Sequence, residues 1–158
     1  MKELLLVTAA WLHLIATVIW IGGIAFILFI AMPSARQIMG TDAGKLMGDV
    51  SRRFTPMANY SIALLVLTGA IIAALNNSFS NSAILENNWI IILAVKHILV
   101  FTMIVIHFFR GLILAPKIMS MESRPRKMYL QNLSINLVKA NFGLGLMVIL
   151  LSAIINSM

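Results

Sequence analysis

The chain predicts an all-α membrane protein: a four-transmembrane-helix antiparallel up-down bundle with both termini outside. Three observations predict it. Of the 158 residues, 61% are hydrophobic and 11% charged, whereas soluble domains run at roughly 45–50% apolar and about 25% charged; mean hydropathy is +0.98. The apolar residues gather into four runs, each at or above the ~20 residues needed to cross about 30 Å of hydrocarbon. The basic residues alternate with them, concentrated in the first and third connecting loops and absent from the second.

The first run, about residues 4–32, holds no charged side chain and meets Pro33. Lys2 ahead of it imitates the start of a signal peptide. A run of nearly thirty residues exceeds a signal h-region, however, and no cleavage-like site follows, so it reads as a retained span. The second run, about 56–75, ends at Asn76-Asn77; the third, about 88–115, at Pro116; the fourth covers about 133–155. The first and third are long enough to tilt. Loop one carries Arg36, Lys45, Arg52 and Arg53, with a short surface helix expected around Ala43–Arg53. Loop three carries Lys117, Arg124, Arg126 and Lys127 and is expected along the inner leaflet. Eight basic residues against Lys2 alone on the other side place these loops in the cytoplasm. Short connections between such spans give a single up-down bundle in the inner or plasma membrane.

The net charge of +7 therefore reads as topology and contact with the lipid bilayer, not as a nucleic-acid surface. Cysteine is absent, which excludes disulfides, thiolate metal sites and cysteine-held iron–sulfur clusters. None of the five acids falls clearly within a run, and no phosphate loop or Ser/His/Asp grouping is present. Those absences argue against hydrolysis and leave redox chemistry or transport.

Ionisable groups in hydrocarbon cost at least about 2.5–3.5 kcal/mol each, so each is a functional candidate. They are His13 in the first run, Lys96, His97, His107 and Arg110 in the third, and Lys139 in the fourth. Arg110 and Lys139 lie near cytoplasmic ends and can snorkel. His13 precedes Pro33 by 20 residues and His97 precedes Pro116 by 19. Regular helices would set the two rings within about 1.5 Å of one level, on opposite corners of a bundle, where two imidazoles can clamp a haem iron. His107, ten residues deeper, would be roughly 15 Å away along the helix. His13 and Trp20, seven apart, share a face, and Gly22 and Gly23 bare the backbone beside them. Against this stands plain packing: an intramembrane histidine bonding across helices, Trp20 as core, His107 as an interhelical hydrogen bonder. The eleven methionines include no repeated Met-x-x-Met run; thioethers are soft ligands for Cu(I) but also ordinary core filler.

His13 followed by Trp20, Gly22-Gly23 and Pro33 resembles the first helix of the copper-resistance D (CopD) membrane domain. Phe54–Gly69, reading FTPMANYSIALLVLTG, is similar to its second helix, and Lys96 through Arg110 to Pro116 looks like its third. The related HemJ-type protoporphyrinogen oxidases share nearly the same pattern. There a first-helix His with Trp seven later, and a third-helix Lys with His eleven later, look like His13/Trp20 and Lys96/His107. Where that pattern continues with Leu-Pro-Arg and a second His, this chain reads LFIAMPSAR. The resemblance implies a helical membrane protein binding haem b or handling copper.

Three functions follow as expectations. The first is a haem b-binding redox protein, His13 and His97 being the axial ligands and His107 the substitute. In it Trp20, Gly22 and Gly23 shape the face of the tetrapyrrole, Lys96 meets a propionate, and electrons pass to a redox partner protein. The second is a copper transporter or membrane chaperone, with His13, His97 and some methionines as stepping sites. The third is a structural subunit of a larger membrane complex. The small size also admits a homodimer.

Overall fold

The computed structural model describes residues 1–75 and 88–157, with side chains except at Thr41, Asn88, Trp89 and Asn156. The loop expected at Asn76–Asn87 lies outside the described residues. The described chain is helical almost throughout and contains no strand. Four helices are long and apolar enough to cross a membrane: α1 (Lys2–Met39), α2 (Ala43–Leu75), α3 (Ile90–Met119) and α4 (Arg124–Ser157). A 3-10 turn, Gly40–Asp42, joins α1 to α2. Gly40 opens it at φ 51°, in the left-handed region that only glycine enters without strain.

The helices overrun the apolar runs, and the prolines do not end them. Proline lacks an N–H and presses on the carbonyl four residues back. In α1 a wide π-helical turn, Ile27–Ala31, lies just ahead of Pro33, and in α3 another, Phe109–Leu114, lies just ahead of Pro116. Widening the turn moves the crowded carbonyl aside, so the chain continues helical to Met39 and Met119. A third wide turn, Val18–Gly22, has no proline after it and contains Trp20. Pro56 sits inside α2, and Pro125 in the first turn of α4, where the missing N–H would have no helical acceptor anyway. The surface helix expected at Ala43–Arg53 is the first part of α2, continuous with the second span. Loop three is likewise shorter than expected, because α4 begins at Arg124. At 33 residues, α2 is about 50 Å long and exceeds the hydrocarbon by about 20 Å. Its overhanging end carries exposed ion pairs, Lys45–Asp42 at 3.1 Å and Arg52–Asp49 at 3.3 Å.

Two compact units make up the chain, Met1–Ser82 and Ala83–Met158. The first is an antiparallel hairpin of α1 and α2: His13 meets Thr68 far from the turn, and Gly23 meets Phe54 nearer to it. Buried positions recur along α1 at Ala9, Ala16, Trp20, Ile24 and Ile27, the three- and four-residue steps of one helix face. Small residues on that face and at Ala58 and Ser61 of α2 let backbones approach closely, which is how membrane helices gain packing. The second unit pairs α3 with α4, linked by Arg110 and Ser134. Met103, His107 and Leu114 are buried on α3, Val138 and Asn141 on α4.

Candidate functional site

In the first unit the chemistry collects around His13. The ring is half-buried, and Nδ1 lies 2.8 Å from Thr68 Oγ1 on α2. The Thr68 hydroxyl donates to the Leu64 carbonyl of its own helix at 2.6 Å, with the Leu65 carbonyl at 3.3 Å. Gly69, next along α2, passes the Cε1 edge of the ring; an added Cβ there would stand 3.7 Å away, in ordinary contact. One turn along α1, Thr17 Oγ1 donates to the His13 carbonyl at 2.8 Å. Thr68 was not among the residues singled out from the sequence. Its signal is positional: His13 lies 27 residues before Gly40 and Thr68 lies 26 after Asp42, so a tight hairpin sets them opposite each other.

Trp20 is 2% exposed, among the most deeply buried large side chains of the molecule. The two glycines after it part company. Nothing lies within 4 Å of where a Gly22 Cβ would be, whereas a Gly23 Cβ would fall onto the ring of Phe54. The gap at Gly23 is thus filled from within the hairpin by an aromatic side chain. Closer to the turn, a groove of about 320 Å³ is lined by Phe26, Ile30, Met39, Leu46 and Met47 among others. It offers two thioethers and no imidazole.

The second unit holds the other candidates. His97 is exposed, and its Nδ1 lies 2.7 Å from the Leu93 carbonyl one turn back on the same helix. Lys96 is half-buried. His107 is 7% exposed and meets Phe108 edge-on, ring centroids 5.4 Å apart. Arg110 Nε donates to Ser134 Oγ on α4 at 3.2 Å. Asn141, 3% exposed, has its Oδ1 buried with no hydrogen-bond partner among the described residues. Equal depth for His13 and His97 assumed unbroken α-helix down to the two prolines. Two wide turns intervene in α1 and one in α3, so residue counts no longer convert simply to depth or phase. Lys96 and His107 have no wide turn between them and keep their common face.

Among the described residues no three His, Asp or Glu side chains gather closely enough to hold a metal by themselves.

No curated protein and no solved structure matches the chain. A family model does match, that of copper resistance protein D, over residues 48–155. The matched stretch takes in most of α2, all of α3 and nearly all of α4, including Thr68, Lys96, His97, His107 and Arg110; α1 with His13 precedes it. With well over half its length matched, and with four helices able to span a bilayer, the chain belongs to the copper resistance protein D family and is a multi-pass membrane protein.

Proposed function

We propose that the protein handles copper in the membrane, taking up Cu(I) as cargo through a site built on His13. The observation that carries the reading is the pairing of an intramembrane imidazole with a threonine on the facing helix, in a member of the copper resistance protein D family. A neutral imidazole is a borderline ligand well suited to copper. The chain has eleven methionines and no cysteine, so any soft sulfur ligand the cargo meets is a thioether.

The haem b expectation finds less support, since the matching family is one named for copper resistance. The Gly23 gap expected to face a porphyrin is occupied by Phe54. Two measurements on protein purified in mild detergent separate the readings. Copper handling requires Cu(I) bound in stoichiometric amount by wild type and lost in His13→Ala, with no porphyrin absorbance. A strong Soret band in wild type that disappears in His13→Ala overturns copper in favour of haem b.

A further inference from the structure

We infer that Thr68 is a positioning residue that fixes the tautomer of His13, so that Nε2 is the nitrogen presented to a metal. The inference rests on the copper reading for its ligand, but it is decided by proton counting within the hairpin. A threonine hydroxyl has one hydrogen and two lone pairs. The Thr68 hydrogen is committed to backbone: the Leu64 carbonyl lies at 2.6 Å, the shortest hydrogen bond of the pair, with Leu65 sharing at 3.3 Å. Carbonyl oxygens only accept, so no other assignment satisfies these contacts. This return of a hydroxyl to the carbonyl three or four residues back is the usual habit of Thr inside a membrane helix.

Toward His13, 2.8 Å away, Thr68 therefore has only a lone pair to offer. The hydrogen in that bond belongs to His13, and Nδ1 carries it. In a neutral imidazole a hydrogen on Nδ1 leaves the basic lone pair on Nε2. The arrangement is that of a ligand histidine whose other nitrogen is held by a hydrogen-bonded neighbour, which sets both tautomer and ring orientation. The chain Leu64 carbonyl, Thr68 hydroxyl, His13 imidazole thus relays a backbone dipole into the ring and raises the electron density at Nε2. Gly69 passes the Cε1 edge of the same ring, where an added Cβ would stand in ordinary contact at 3.7 Å. His97 Nδ1 also faces a carbonyl, that of Leu93. That contact lies within one helix, and it ties His97 to no second element.

The test reads the metal-free protein first. Full-length chain labelled with ¹⁵N-histidine, in lipid nanodiscs, gives the tautomer of each ring from its nitrogen shifts and long-range proton couplings; His13→Ala assigns the signal. The expected result is Nδ1–H at His13. Thr68→Val, equal in shape but without the acceptor, should turn that signal into a mixture of tautomers, and Thr68→Ser should restore it. Cu(I) affinity, measured by competition with a chromophoric chelator, should fall about 10- to 100-fold in Thr68→Val, the usual loss when a partner of a metal ligand is removed. Thr68→Ser should recover it. An Nε2–H signal at His13 in wild type, or an unchanged Nδ1–H signal in Thr68→Val, overturns the inference without any variant having to bind metal. Cu(I) bound equally by wild type and His13→Ala overturns the copper reading instead, and leaves the tautomer measurement to decide the role of Thr68.

Discussion

Gly22 and Gly23 are adjacent in sequence and opposite in surroundings, and substituting each by alanine isolates one contact of the first hairpin. Both replacements remove a flexible residue from a helix and gain about 1 kcal/mol of intrinsic propensity; that gain is common to both and cancels in the comparison. At Gly22 the new methyl group meets nothing within 4 Å. At Gly23 it would fall on Phe54 Cε2, with Cζ next at 2.6 Å, whereas carbon atoms rest at about 3.5–4.0 Å, so the ring must retreat by well over about 1 Å. Forcing a methyl into a packed site costs about 1–3 kcal/mol, so Gly23→Ala should be less stable than Gly22→Ala by about that amount. Unfolding in mixed micelles, followed by the fluorescence of the buried Trp20 with Trp11 and Trp89 replaced by Phe, measures both. Repeating the pair in a Phe54→Ala background should collapse the difference, because the obstacle has gone and contacting residues couple. Equal effects of the two alanines, or a gap that persists without the Phe54 ring, would refute the packing described for this helix pair.

Other outcomes follow from the same reasoning. Ser134→Ala strips the acceptor from Arg110 Nε and should cost about 1.5–3 kcal/mol, the range for hydrogen bonds to charged groups. Ser152→Ala, which removes only a bond to its own helix carbonyl, should be close to neutral in the same unfolding assay. His97→Ala should leave Cu(I) stoichiometry unchanged where His13→Ala abolishes it, as read by metal analysis of the purified proteins. Asp42→Asn and Asp49→Asn break exposed ion pairs and should shift stability by less than about 1 kcal/mol. Single cysteines placed at Lys2 and at Ser120 in this cysteine-free chain should label from opposite sides of intact membranes, Ser120 from the cytoplasm. Labelling of both from one side would contradict the orientation read from the basic loops.

The four spans were legible because membrane insertion is a bulk property: a run such as residues 4–32 needs no partner to declare itself. The helix ends were less so. Pro33 and Pro116 look like terminators in sequence, and only the wide turns ahead of them show how the helix continues. Those same turns spoil the conversion of residue counts into depth that paired His13 with His97. His13 was visible as an ionisable group in an apolar run, while Thr68 was not, since a lone threonine in a membrane helix usually satisfies itself and draws no attention. Its importance depends on pairing across the Gly40–Asp42 turn, a tertiary fact. Gly23 was legible as a place of close approach. That the visitor is Phe54, 31 residues on, could not be read from the glycine itself.

The length of α2 carries a consequence of its own. Because α1 and α2 both continue past the greasy slab and meet at Gly40–Asp42, their shared tip is a stiff mast instead of a floppy tether. A reporter domain spliced into that turn would ride at a fixed height and bearing. That makes it the natural grip for fusing a rigid fiducial marker, should so small a particle be imaged directly.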